Sequence, residues 1–381
     1  MHIAINGWFW DQPHTGSGQY VRKLLSGLRR IAPDLRLTLV LPQRVQEPED
    51  LPPDVDFVHA SGASSNLGKV WFEQRGYPSA VAHLGADIAH VPYWGPPLSV
   101  KARLVVSVLD VIPLVIPDYA ASAGARLYTS LVTVATRGAA HVITLSSASK
   151  KDIVEHIGYP PKSVTVTYLA SDEIYHPRMG NERDAAVKAK YDLPDRFVLY
   201  LSGFDIRKQL NRALLAYTYV GPSEGEDAPL VIAGREPAWG TRMFPDMRQY
   251  ARDLKIEDYV RWIGYVDEAD KPSLYRLASV FVYSSIYEGF GLPVLEAMAS
   301  GTPVVACDIP VVQEVAGDAA YLVEQDNERQ MGAAILSLLL QEPLREQLIQ
   351  RGLSQTTRFS YRKTARETLS VYERVMRETT P

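Results

Sequence analysis

Short runs rich in Val, Ile, Leu and Tyr recur along this chain, separated by segments long enough to be helices, and this alternation restricts the fold more than any other feature. In the first half the runs are HIAIN (2–6), RLTLVLP (36–42), VDFVHA (55–60), DIAHVPY (87–93), RLVVSVLD (103–110), HVITLS (141–146) and VTVTYL (164–169). They are almost continuously apolar, as strands covered on both faces must be. Strands that alternate with helices imply a parallel, doubly wound sheet. A polar stretch with Pro177, Gly180 and Pro194 then interrupts the pattern over residues 171–197, and punctuation of that kind marks a connection between domains. A second series follows: FVLYLSG (197–203), LVIAG (230–234), VRWIGYV (260–266), VFVYSS (280–285), TPVVAC (302–307) and AAYLV (319–323).

The expectation is two Rossmann-like, doubly wound α/β domains facing a cleft, residues 1–175 and 176–360. A C-terminal helix, 361–381, would pack back on the first domain. A chain of 381 residues is long enough for two cores. Ligands in open α/β sheets bind beyond the C-terminal ends of the strands, so residues just after strands are the candidates for chemistry.

Composition narrows the classes. Charged residues make up 22% and the net charge is −4, which leaves no electrostatic footprint for nucleic acid. The single cysteine, Cys307, has no partner for an internal disulfide. The start, MHIAINGWFW, lacks the basic and apolar regions of a signal peptide. The longest apolar run, 104–116, is broken by Asp110 and Pro113 and is shorter than the roughly 20 residues of a spanning helix. A cytoplasmic protein is expected. Basic residues recur on the apolar helix RKLLSGLRR (22–30), which reads either as a solvated face or as a peripheral contact with anionic lipid at the inner membrane surface. The oligomeric state is left open.

The stretch YEGFGLPVLEAMASGTPVV (287–305) carries Glu288 and Glu296 around a Gly-bracketed turn. Gly289 and Gly291 let backbone approach a ligand, Pro293 suits a first helical position, Gly301 suits a C-terminal cap, and the helix start offers an anion site. Read alone, Glu296 is as well explained by the positive helix end and Glu288 by exposure to solvent. The whole stretch resembles the donor-binding motif of retaining glycosyltransferases of the group-1 type (family 4), in which two glutamates are separated by seven residues. The resemblance implies the two-domain GT-B fold. It also implies that Glu288 contacts the donor sugar, that the backbone of Phe290, Gly291 and Leu292 contacts sugar and phosphate, and that Glu296 holds the ribose.

The resemblance covers most of the chain. SGFDIRKQLNRALLAY (202–217) is similar to the segment in which a glycine, here Gly203, precedes basic residues presented to the diphosphate, here Arg207 and Lys208. Phe204 stands where many relatives carry another arginine. HTGSGQYVRKLLSGL (14–28) resembles the family's glycine loop, with Gly16 and Gly18 before a helix, and WIGYV (262–266) resembles the base-binding strand end, through backbone groups of Tyr265 and Val266. SVLDVIPLVIP (107–117) resembles a His-Asp segment of the bacterial polysaccharide mannosyltransferase subgroup, with Leu109 in place of the histidine. Asp110 is then either a cap for the following turn or a residue near the acceptor. Glu314 also matches and reads as structural.

Taken together, the resemblance implies a retaining hexosyltransferase that moves a hexose, mannose favoured, from a nucleoside diphosphate sugar such as GDP-mannose to a glycan or lipid-linked acceptor in polysaccharide biosynthesis. The catalytic candidates are Arg207, Lys208, Glu288 and Asp110. The donor-binding candidates are Gly16, Gly18, Gly203, Tyr265, Val266, Phe290, Gly291, Leu292 and Glu296. Cations stand ready for the leaving group, so no metal ligand and no cofactor is expected. A nucleotide-sugar epimerase, which releases product without an acceptor, and a two-lobed sugar-binding protein are the competing readings. The first strand lacks the G-x-G-x-x-G of a dinucleotide oxidoreductase.

Overall fold

In the computed structural model, which describes residues 1–62 and 64–378, two parallel sheets account for the two series of apolar runs. The first contains β1 (His2–Asn6), β2 (Arg36–Pro42), β3 (Asp56–Ala60), β4 (Ile88–Val91), β5 (Arg103–Ser107), β6 (His141–Thr144) and β7 (Val164–Val166), in the order β3-β2-β1-β4-β5-β6-β7. The second contains β8 (Val198–Leu201), β9 (Leu230–Ala233), β10 (Val260–Gly264), β11 (Val280–Tyr283), β12 (Val304–Cys307) and β13 (Tyr321–Val323), in the order β10-β9-β8-β11-β12-β13. Every pairing between neighbours is parallel, so each needs a crossover connection, helical in most cases and a loop between β2 and β3 and between β4 and β5.

Central strands are buried throughout, but the expectation of two covered faces fails at the edges. In β3, Asp56, Phe57 and His59 are exposed, and in β10, Arg261 is exposed. An edge strand has one neighbour, so helices do not cover it fully.

The chain divides into two compact units, one of residues 1–169 with 360–381 and one of 170–359. Within the first, the last helix, Tyr361–Arg377, is capped by Ser360, whose side chain accepts from the Lys363 amide. It buries Thr364, Ala365, Thr368, Val371, Tyr372 and Val375, a stripe at helical spacing. That stripe packs on the helix Gly16–Ile31, closely enough that a Cβ on Gly27 would lie 3.0 Å from the Ala365 Cβ. A buried polar chain fastens the contact to the sheet. Tyr372 and His90 Nδ1 are 2.6 Å apart, His90 Nε2 and Ser107 are 2.8 Å apart, and Ser107 is 3.0 Å from the Tyr20 hydroxyl. Burial lowers the His90 pKa to about 3, so the imidazole is neutral and donates from only one nitrogen.

The basic residues of the helix Gly16–Ile31 are largely engaged within the same unit. Arg22 donates to the Trp10 carbonyl and lies over the Trp10 ring, and Arg29 donates to the carbonyls of Pro33, Leu35 and Asp54. Lys23 sits over the Tyr361 ring, while Arg30 is exposed. Among the described residues no helix is long and apolar enough to cross a membrane.

Candidate active site

The strand order of the second sheet changes direction between β8 and β11, and the loops beyond that switch point form the crevice where α/β sheets hold ligands. The loop after β8 makes a short turn over Ile206–Lys208 and enters the helix Leu210–Glu224 through Gln209, held left-handed at φ 48°. The loop after β11 leads through Gly291, left-handed at φ 92°, into the helix Leu292–Ala299. Backbone stitches the loops together: Ile286 N–H donates to the Arg207 carbonyl at 3.1 Å, and the Ser284 hydroxyl donates to the Lys208 carbonyl at 2.9 Å.

Between them lies one charge cluster. Arg207 Nη1 is 2.5 Å from Glu288 Oε2, and Lys208 Nζ is 2.5 Å from Glu288 Oε1. The three side chains are only 11%, 12% and 12% exposed. Arg207 also donates to the Tyr287 carbonyl and faces Asp205 at 3.6 Å, and Lys208 stands over the Tyr283 ring. Burial alone would raise the Glu288 pKa, but the charges and hydrogen bonds of Lys208 and Arg207 outweigh it and hold the pKa down at about 2. Burial lowers the pKa of Lys208 against the opposing pull of Glu288. Glu288 is therefore not the solvent-exposed carboxylate that the bland reading of the sequence made it. It is the shared counter-ion of both cations.

Glu296 lies in the helix that Gly291 opens, where burial pushes its pKa up to about 7 against the pull of Lys271 and of the Tyr275 hydroxyl, which donates to Oε2 at 3.2 Å. The helix starts at Leu292, so Pro293 is its second residue, one place beyond the expected start. Gly301, at φ 78°, follows the Ser300 cap. At Gly291 a Cβ would meet nothing within 4 Å, and the positive φ alone calls for glycine. Phe290 is buried and edge-on to Phe359.

Gly203 accepts from the Tyr200 hydroxyl through its carbonyl. Phe204, in the place of an arginine, packs among Tyr200, Trp239 and Trp262 with ring centroids 5.4 to 6.3 Å apart. That aromatic cluster joins β8 and the loop after it to the loop after β9 and to β10 itself. Tyr265 is 39% exposed, with the Arg235 guanidinium 5.0 Å from its ring centre, and Val266 is buried.

The remaining candidates lie in the other unit. Gly16 and Gly18 are not in a loop before the helix: they are in its first turn, capped by Thr15, which accepts from the Gly18 amide. A Cβ on Gly18 would lie 2.0 Å from the Gln12 carbonyl oxygen, whereas one on Gly16 would meet nothing within 4 Å. Close packing accounts for Gly18, and Gly16 faces open space. Asp110 accepts from the Ile112 amide at 3.1 Å, in the turn after β5. Trp262 and Tyr275 escaped sequence reasoning because each fits the apolar pattern of its own element, and Trp239 and Tyr175 because each lies in a polar stretch that reads as a connection. Among the described residues no group of three or more His, Cys, Asp or Glu side chains is arranged to hold a metal ion.

Two family models cover most of the chain: glycosyl transferases group 1 over residues 182–355 and Glycosyltransferase Family 4 over residues 14–172. The O-antigen chain mannosyltransferase B of Escherichia coli is 30% identical over 301 residues, which cover 78% of each chain. This chain belongs to the group 1 glycosyltransferases.

Other group 1 relatives include a phosphatidyl-myo-inositol mannosyltransferase of Mycolicibacterium smegmatis, 30% identical over 54% of this chain and 53% of that one. Among solved structures, the sucrose-phosphate synthase of Thermosynechococcus elongatus matches over 100% of both chains at a TM-score of 0.78 and 19% identity. WaaG, a glycosyltransferase involved in lipopolysaccharide biosynthesis, matches over 97% of this chain and 99% of its own at 0.74 and 15%. At those identities the likeness shows the fold, which is the GT-B fold of two Rossmann-like domains.

Proposed function

We propose that this glycosyltransferase moves mannose from GDP-mannose, with retention of anomeric configuration and without a metal, to a glycan or lipid-linked acceptor. The observation that carries the reading is the Arg207–Glu288–Lys208 cluster at the switch point of the second sheet. Two buried cations beside a glycine-bracketed turn suit a diphosphate, whose charge grows as the bond to the sugar breaks. They supply the neutralisation that a bound metal would otherwise give. In the structure the Glu288 carboxylate pairs with both cations. When the diphosphate takes over the cations, the Glu288 carboxylate is released to accept from the sugar hydroxyls, while Glu296 accepts from the ribose diol.

The acceptor hydroxyl oxygen then bonds to the anomeric carbon on the face from which the diphosphate departs. The carbon–oxygen bond to the diphosphate breaks with its electron pair, and the leaving phosphate oxygen takes the acceptor proton. Asp110 is proposed near the acceptor, and Tyr265 and Val266 near the base. The mannosyl reading is supported by the names of the relatives, among them an O-antigen chain mannosyltransferase and a mannosyltransferase of phosphatidyl-myo-inositol. An acceptor anchored in lipid would bring the chain to the cytoplasmic face of a membrane as a peripheral protein.

The test is incubation of purified protein with GDP-mannose and mannosylated lipid or glycan acceptors in EDTA, with the new linkage read by NMR. An α-linked product in EDTA supports all three parts. A β-linked product removes retention, and activity restored only by added Mg²⁺ or Mn²⁺ removes metal independence.

A further inference from the structure

A carboxylate that grips a vicinal diol must present both oxygens in one plane, yet the terminal torsion of a glutamate is broad and roughly two-fold. Something has to fix it. Glu296 is held by a device that spans three separate parts of the chain. The Tyr275 hydroxyl, from the helix Lys271–Leu277, donates to Oε2 at 3.2 Å. Tyr175, in the stretch that follows the first sheet, stands edge-on to Tyr275 with ring centroids 5.9 Å apart, and its hydroxyl also faces Glu296.

The Tyr275 ring has no freedom of its own. It is fully buried, edge-on to Phe281 of β11 at 5.2 Å, and its carbonyl accepts from the Thr302 hydroxyl at 2.6 Å, which ties it to the far end of the Glu296 helix. Nearby, Lys271 is paired with Glu268 at 2.5 Å, so its charge, which also favours the ionised form of Glu296, is shared between two carboxylates. An anchored hydroxyl on one oxygen is therefore what orients the carboxylate.

We infer that Tyr275, backed by Tyr175, is the positioning residue that aims Glu296 at the ribose diol and makes the site prefer ribonucleotide over 2′-deoxyribonucleotide donors. The inference rests on the reading of Glu296 as the ribose-holding residue. A site built around a hydroxyl leaves a buried acceptor unpaired when that hydroxyl is missing. Loosening the carboxylate removes the same discrimination without touching the phosphate cations.

The test is calorimetric titration with GDP and 2′-deoxy-GDP, and with UDP and 2′-deoxy-UDP, using the pair that wild type binds more tightly. Inorganic pyrophosphate is titrated beside them. Wild type should prefer the ribose form by about tenfold or more, and Glu296→Ala should erase the preference. Tyr275→Phe should reduce it to about threefold or less, with pyrophosphate affinity unchanged and the melting temperature lowered only modestly, and Tyr175→Phe should act in the same direction more weakly.

The pH dependence gives a second readout. The groups facing Glu296 are Tyr275, Tyr175, Lys271 and Glu268. Loss of the Tyr275 hydrogen bond removes a group that favours the ionised carboxylate, so the pH at which the ribose preference develops should move up. If Glu296→Ala erases the preference while Tyr275→Phe keeps it in full, the positioning role is overturned. If Glu296→Ala keeps it, or neither ribonucleotide binds, the donor reading of Glu296 fails and the inference falls with it.

Discussion

The ammonium of Lys208 lies 2.5 Å from a carboxylate oxygen of Glu288, a residue 80 positions further along the chain, and the same carboxylate holds Arg207. Charges that the sequence places in separate loops are neutralised by one another.

Lys208→Ala leaves Glu288 paired with Arg207, so the fold should persist while the leaving diphosphate loses one of its two cations. Transfer should fall by about a hundredfold or more, with a circular-dichroism melt close to that of wild type. Near wild-type turnover would show that Lys208 does not act on the leaving group.

Glu288→Ala behaves differently, because it strands two largely buried cations. Removing one partner of such a pair costs about 3–5 kcal/mol, so the melting temperature should drop. Pyrophosphate should raise it by more in the variant than in wild type, since the anion fills the vacated place. Equal stabilisation of both proteins by pyrophosphate would contradict the counter-ion role.

His90 is one source of acid sensitivity in the first unit, beside His141, whose pKa burial lowers to about 4. The folded pKa of His90, about 3, lies below the ordinary 6.5, so the unfolded chain binds a proton that the folded one refuses. The stability it contributes is fully present above pH 6.5 and is lost as pH falls from there towards 3. Wild type should lose stability on acidification through that window, and His90→Gln, though weaker at neutral pH for lack of a good fit, should show a shallower slope when chemical unfolding is followed against pH.

The two glycines in the first turn of the helix Gly16–Ile31 should separate cleanly. Gly18→Ala places a methyl group 2.0 Å from the Gln12 carbonyl oxygen and should cost about 1–3 kcal/mol. Gly16→Ala meets open space and should be neutral or stabilise by about 0.5–1 kcal/mol through helix propensity. Thermal melts of the two variants decide it.

The strands were legible because central strands of a parallel sheet are made of continuous apolar runs, and burial enforces that pattern locally. Relations across distance were not. Nothing in the local sequence says that Arg207 and Lys208 share Glu288, or that Tyr175 and Tyr275 converge on Glu296, because each contact depends on how the strands are ordered. Phe204 read as a missing arginine, while its part in packing Trp239 and Trp262 needed the loops after β8 and β9 and the strand β10 in place. The basic helix at 22–30 was ambiguous for the same reason: Trp10 and the carbonyls of Pro33, Leu35 and Asp54, which engage Arg22 and Arg29, come from outside that stretch.

Whether the Arg207–Lys208 pair receives a nucleoside diphosphate decides the donor site. Thermal unfolding of wild type and of the Arg207→Ala/Lys208→Ala double variant, each with GDP, UDP, ADP or dTDP, measures this. The account predicts that GDP raises the wild-type melting temperature most, and that the double variant loses most of that rise. No response to any of the four nucleotides, or an equal rise in the double variant, would contradict it.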